Sequence, residues 1–230
     1  MVERLLIKAL QGGENTKIMT FTGKKIKKMP STLEKLPALK TLDLQNNLIP
    51  EVCPEIRTLT QLTSLNLGNN LLEAVPEELK YLVSLRKLHL FGNRICRFAS
   101  GVCGRLKSLV YMSINHNQLA IIPTELCSLL NLVELQLNYN QVIYIPEEIK
   151  FLKDLQKLLL ARNNIKALPN TFCDLENLRI LDIAGNLIQM FPPGNCKVSR
   201  NLQLVPVQIL ICSYRCFMQR SPNVFGVADA

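Results

Sequence analysis

Two histidines and eight cysteines are the residues of this 230-residue chain whose types could do chemistry. His89 and His116 could serve as a general base or as metal ligands if a nucleophile, an orienting group or a third ligand lay in register with them. No G-x-S-x-G turn and no third ligand at metal spacing accompanies either one. Cys212-Ser-Tyr-Arg-Cys216 has the look of half a zinc site, but four-coordinate zinc needs two further ligands and Cys196 is the only nearby candidate. Cys103, Cys127 and Cys173 recur at one periodic position, and Cys53 and Cys96 fall inside the same period, as small apolar fillers would. We therefore expect no catalytic residue, no metal and no cofactor, and a chain that is not an enzyme.

The formal charge of +9 is local. Residues 1–40 hold nine Lys and Arg against three acids, and residues 194–230 hold four against one. The intervening segment carries fourteen of each sign, so it presents no general nucleic-acid footprint. The densest cluster is Lys24, Lys25, Lys27 and Lys28, which suits an acidic partner, phosphate or an anionic membrane surface, or simply a solvated end. Membrane contact through these lysines is the alternative reading rather than the favoured one. No run is long and apolar enough to span a bilayer; Leu202–Cys212, the longest, contains Gln203, Pro206 and Gln208.

The elements that must position these residues come from a 23-residue unit, L-x-x-L-x-L-x-x-N-x-L-x-x-φ-P-x-x-φ-x-x-L with φ apolar. It starts at Leu39, Leu62, Leu85, Leu109, Leu132, Leu155 and Leu178. A degenerate unit from Thr16 precedes these and has Lys24 where the asparagine belongs. The fourth and sixth positions, such as Leu65 and Leu67, alternate with period two and predict a short strand with one buried face. Asn47, Asn70, Asn93, Asn117, Asn140, Asn163 and Asn186 close the signature. An amide that both donates and accepts can bond orphaned backbone groups of its own and the adjacent coil. Pro76, Pro123, Pro146 and Pro169 are expected at the first helical position of the returning segment, with Glu77, Glu78, Glu125, Glu147 and Glu148 in its first turn. One unit alone cannot offset its ordering entropy, so stability must come from stacking. The pattern predicts an α/β leucine-rich-repeat solenoid, with a curved parallel sheet on the concave face and short helical or 3-10 segments on the convex face.

Strand alternation exposes the third, fifth and seventh positions of each unit, with the eighth at the edge. Units four to seven place Lys87, His89 and Phe91 there, then Tyr111, Ser113, Asn115 and His116. Glu134, Gln136, Asn138 and Tyr139 follow, then Lys157, Leu159 and Arg162. Aromatic and arginine anchors among adaptable amides are the composition of interface cores. The candidate partner-binding residues are Lys87, His89, Phe91, Tyr111, Asn115, His116, Gln136, Asn138, Tyr139 and Arg162. Earlier units offer only Thr41, Asp43, Gln45, Ser64, Asn66 and Gly68 in their place.

The organisation expected is a helical cap over residues 1–15, with Leu5, Leu6, Ala9 and Leu10 at helical spacing and an end at Gly12 and Gly13. About eight repeats over residues 16–193 follow, then a tail or makeshift cap over residues 194–230 in which Leu204, Val207, Ile209 and Ile211 pack on the open end. With no secretory apolar segment and no clustered flanking cysteines on the N-terminal side, a cytoplasmic setting is expected.

Over residues 16–193 the signature and its P-x-x-φ-x-x-L side resemble the intracellular leucine-rich-repeat class of Shoc2-like and plant Ras-group proteins. The resemblance implies a protein-binding scaffold or adaptor in intracellular signalling, with one or more protein partners and no nucleic acid. Against longer members the chain looks shortened. The 24-residue step from Leu85 to Leu109, with its seam at Gly101-Val102-Cys103-Gly104, is expected to loosen one coil. The passage through Phe191-Pro192-Pro193-Gly194 then leaves the last unit without its closing apolar positions.

Overall fold

A computed structural model describes residues 2–12, 15–190, 192 and 203–204. They belong to two compact units that divide between Leu119 and Ala120.

Unit 1 begins with helix α1 (Val2–Gly12), which buries Leu6 and Ala9. The Thr16 hydroxyl donates to the Ala9 carbonyl at 2.8 Å and ties the chain leaving the helix back to it. The remaining elements of the unit are β1 (Ile18–Thr20), β2 (Thr41–Asp43), β3 (Ser64–Asn66), β4 (Ala74–Val75), β5 (Lys87–His89), β6 (Arg97–Phe98), α2 (Val102–Arg105) and β7 (Tyr111–Ser113). Strands β1, β2, β3, β5 and β7 pair in parallel in that order, while β4 and β6 form a separate parallel pair. Each partner residue lies one repeat away, Leu42 facing Leu65 and Leu65 facing Leu88. Leu42, Leu65, Leu88 and Met112 form one fully buried column, and Leu44, Leu67, Leu90 and Ile114 form the next. A three-residue strand with one buried side chain cannot fill a core alone, so burial here is a product of stacking, as the entropy argument requires.

Unit 2 repeats the scheme with β8 (Glu134–Gln136), β9 (Lys157–Leu159), β10 (Ile180–Asp182) and β11 (Gln203–Leu204). All of these pair in parallel, Leu135 with Leu158, Leu158 with Leu181 and Leu181 with Leu204. Strand β11 lies in the segment read from sequence as a tail, yet it keeps the 23-residue step. The proposed packing of Val207, Ile209 and Ile211 lies outside the described residues, as do Cys196, Cys212 and Cys216.

The returning half of six repeats is a five-residue 3-10 turn, over Ser31–Lys35, Pro54–Thr58 and Glu77–Tyr81 in unit 1 and Thr124–Ser128, Glu147–Phe151 and Asn170–Asp174 in unit 2. Acids occupy the first turn as expected, Glu77 and Glu78 in one, Glu125 in another, Glu147 and Glu148 in a third. The prolines sit one residue earlier than expected. Pro76, Pro123, Pro146 and Pro169 are the extended residues that precede the turns. Each places its carbonyl to accept the first i→i+3 bond, as Pro123 does from Leu126 N–H at 3.0 Å. A ring that fixes φ near −65° suits this extended residue, which needs no N–H of its own.

The seam at Gly101–Gly104 is not loose. The extra residue of that unit is taken up by α2, one α-helical turn in place of a 3-10 turn, entered through Gly101 at φ 74° and burying Val102 and Cys103. A φ of that sign is accessible to glycine without steric cost.

Candidate functional site

The bend after each strand is built by the signature asparagine. The Asn70 side-chain oxygen accepts from Ile49 N–H at 3.0 Å, while its NH₂ donates to the carbonyls of Leu44, Leu67 and Gly68 at 3.0–3.2 Å. Asn163 does the same in unit 2, accepting from Val142 N–H at 2.9 Å and donating to Leu137, Leu160 and Ala161. Asn47, Asn93, Asn117, Asn140 and Asn186 occupy the equivalent places. In the degenerate first repeat the amide of Asn47 reaches back to serve Lys24 and Ile26 N–H, so Lys24 needs no asparagine of its own.

The residue just before this asparagine has positive φ in all eight repeats. These residues are Gly23, Asn46, Asn69, Gly92 and His116 in unit 1, then Tyr139, Arg162 and Gly185 in unit 2, with φ between 52° and 67°. Their N–H groups reach the next coil: Asn69 donates to the Phe91 carbonyl at 2.7 Å, Tyr139 to Ala161 at 2.8 Å and Arg162 to Ala184 at 2.7 Å. This ladder holds the left-handed conformation whatever residue occupies it. Sequence reading placed His116, Tyr139 and Arg162 at the edge of the exposed face but missed the backbone conformation. The recurrence of Gly and Asn at that position was the available signal.

In unit 1, His89, Phe91 and Tyr111 form an aromatic cluster. The His89 ring lies 4.8 Å from that of Tyr111 and 6.4 Å, edge-on, from that of Phe91. Phe91 fills the space that Gly68 leaves on the adjacent strand; a Cβ on Gly68 would come within 2.5 Å of its ring. Phe91 is therefore partly a packing residue. Burial, and then the charge of Lys87, hold the His89 imidazole below its usual pKa, against a smaller opposing pull from Asp43. Lys87 and His116 are exposed and Asn115 is half-buried. Ser113, expected on the exposed face, is only 2% exposed, with the Asn115 amide 3.3 Å from its hydroxyl. A short side chain beside longer ones is roofed over despite its outward alternation.

In unit 2, Gln136 donates to the Glu134 carboxylate at 2.6 Å, and Lys157 pairs with the same carboxylate at 2.9 Å. Asn138 turns inward, its side-chain oxygen accepting from Ala161 N–H at 2.7 Å. Tyr139 and Arg162 are exposed, and the Arg162 guanidinium lies 5.8 Å from the centre of the Tyr139 ring. The ten candidates thus lie in two groups, one in each unit.

Nothing among the described residues groups three or more His, Cys, Asp or Glu side chains as metal ligands. Cys53, Cys103 and Cys127 are buried free thiols, as small fillers should be. Burial, with Glu55 adding to it, pushes the Cys53 thiol up to about 11; burial, with Glu148, pushes Cys127 to about 12. Cys96 is exposed. Cys173, at the position equivalent to Cys103 and Cys127, departs from the filler reading, since it is half-buried and disulfide-bonded. A groove of about 470 Å³ in unit 1, lined among others by Glu51, Glu73, Glu78 and Arg97, contains none of the ten candidates. Among the described residues no helix is long and apolar enough to cross a membrane.

The model of the leucine-rich-repeat family matches residues 37–95 and 146–188. Human leucine-rich repeat-containing protein 69 is 73% identical over 115 residues, which cover 50% of this chain and 33% of that protein. The mouse protein of the same name is 73% identical over 37 residues, 16% of this chain and 11% of its own. The matches thus span a third or less of the curated relatives' length. A solved leucine-rich-repeat protein of Leptospira interrogans superposes with a TM-score of 0.86 at 32% identity, covering 92% of this chain and 54% of that one. Such domains generally mediate protein–protein interaction and typically lack enzymatic activity. By its repeats, its asparagine ladder and these likenesses, the chain has the leucine-rich-repeat solenoid fold and is similar to leucine-rich-repeat proteins.

Proposed function

We propose that the chain is a protein-binding scaffold or adaptor of the cytoplasm, in intracellular signalling, that works by selective and reversible docking and performs no chemistry of its own. The observation that carries this reading is the exposed sheet face of each unit, where His89, Tyr111, Tyr139 and Arg162 stand among amides on a rigid ladder of strands. Tyr and Arg on a preorganised scaffold lose little entropy on binding and dominate interface energies. The test is proximity labelling in cells with the intact chain beside Tyr111→Ala/Tyr139→Ala, after circular dichroism has confirmed that the variant folds. Loss of a discrete set of partners supports the reading, and an unchanged set sinks it.

A second reading has its own observation: Lys24, Lys25, Lys27 and Lys28 are all exposed, and neither the Lys80–Glu77 nor the Lys157–Glu134 ion pair involves them. Salt-sensitive binding to anionic vesicles, lost when the four lysines become glutamine, would favour peripheral membrane docking instead.

A further inference from the structure

We propose that Tyr139 and Arg162 form the recognition element for a carboxylate of an acidic segment on the partner protein. The proposal rests on the protein-binding reading above and adds the chemistry that the surface selects. Tyr139 and Arg162 hold φ values of 55° and 57°. A bulky side chain in that region is an outlier, whereas Gly, Asn and His occupy it readily, so holding one there carries backbone strain. Two adjacent repeats bear this strain at a bend where the other repeats use Gly, Asn and His. Both side chains are exposed, so packing in the core does not account for the choice.

The electrostatics specify what the pair would hold. Arg162 lies over the Tyr139 ring and makes no ion pair among the described residues, whereas Lys157 in the same unit is neutralised by Glu134. Asp182 on the adjacent strand β10 has a carboxylate oxygen that accepts from Ala184 N–H of its own coil at 3.1 Å. The guanidinium therefore keeps its planar fork available, and the cation–π contact with the ring fixes where its charge sits. On its other side the ladder continues as Gly185, whose missing side chain leaves this flank of Arg162 uncovered; a first carbon there would sit in ordinary contact with Arg162 Cδ, at 3.5 Å. One uncompensated cation matches a singly charged carboxylate, and a fork-to-fork pair with Asp or Glu is the geometry this arrangement admits. A phosphate dianion would call for a second free cation, and Lys157 is already engaged.

The probe is a library of short random peptides displayed for selection on the intact chain, with Arg162→Gln and Arg162→Lys as counter-targets and circular dichroism confirming that both fold. We expect enriched peptides to carry Asp or Glu and to lose about tenfold or more in affinity on Arg162→Gln, with Arg162→Lys recovering only part of it because an ammonium lacks the fork. Enriched peptides without acids, or peptides bound equally by Arg162→Gln, overturn the carboxylate assignment. If such peptides still depend on Tyr139, the protein-binding reading survives that failure. Absence of any enrichment also overturns the assignment, while the proximity-labelling result stands apart from it.

Discussion

The bends of the two units share one backbone and differ in what they ask of it. In unit 1 the left-handed position is filled by Gly23, Asn46, Asn69, Gly92 and His116, residue types that adopt it readily. The exception in that unit is Lys25 at φ 55°, two residues past the bend in the degenerate first repeat. The asparagines also bond to each other, Asn69 donating to the Asn46 side-chain oxygen at 2.7 Å. Gly92 completes this ladder, since a Cβ there would fall 2.0 Å from the Asn69 side-chain oxygen. In unit 2 the position is filled by Tyr139 and Arg162 before Gly185 restores the easy residue. The N–H bond to the next coil and the signature asparagine therefore impose the turn on bulky occupants as well, which then carry backbone strain. Where local preference and occupant disagree on such a scaffold, the disagreement marks a surface chosen for something other than folding.

The same contrast holds for the aromatics. Phe91 lies over Gly68 and His89 stacks on Tyr111, so unit 1 spends its aromatic area largely on itself. Tyr139 has Arg162 as its stacking partner, and both remain exposed.

The largest effect expected is one that treats both units alike. Asn70→Ala and Asn163→Ala each strip one backbone N–H and three carbonyls of a buried partner. The carbonyls keep a second donor, from a neighbouring asparagine or a backbone N–H, while the N–H of Ile49 or Val142 loses its acceptor. Each should therefore cost about 3 kcal/mol in urea denaturation, the scale of one orphaned buried donor together with three lost carbonyl bonds. A marked inequality between the two would mean that the units do not share a scaffold, and the comparison of their bends would fall. Next in size is Gly68→Val, which drives a side chain into the Phe91 ring and should cost about 2 kcal/mol as an overpacking change. Little loss would show that Phe91 is free to move and belongs with the exposed aromatics of unit 2.

Most of this architecture was legible because the 23-residue period states it many times over. Any one of Leu42, Leu65 or Leu88 is ambiguous, whereas three at one register are not, and all are fully buried. The asparagine bonds followed from the chemistry of an amide at a bend. Ser113 was misread because alternation assigns a side but not a depth. Phe91 was misread because its partner, Gly68, offers a space that no residue type announces. The handedness of the bend was readable from Gly23, Asn46, Asn69, Gly92 and Gly185, and attention to that column would have singled out Tyr139 and Arg162 by their disagreement with it. The disulfide of Cys173 had no such signal, since its position matches those of the free thiols Cys103 and Cys127.

A pair of reciprocal exchanges tests the contrast directly and should act on a scale of about 1 kcal/mol. Tyr139→Asn relieves the backbone and should raise the urea midpoint. Asn69→Tyr imposes the strain on unit 1, breaks the bond to Asn46 and should lower it. If Tyr139→Asn lowers stability, the ring contributes to packing and its place in a binding surface weakens.

The smallest effect concerns the His89 cluster and separates packing from display by its pH dependence. Because burial and Lys87 depress the folded-state pKa of His89, the unfolded chain takes up a proton first as pH falls. Its contribution is intact above the unfolded value of about 6.5 and is lost progressively as pH drops through the folded value. The urea midpoint should therefore fall between about pH 7.5 and about pH 5, by less than about 1 kcal/mol for a half-buried group, and His89→Gln should flatten the His89 part of that slope. An unchanged slope would mean that the imidazole takes up its proton without leaving the cluster. His89 and Tyr111 would then be displayed to solvent as fully as Tyr139 and Arg162, and the two units would differ in their bends alone.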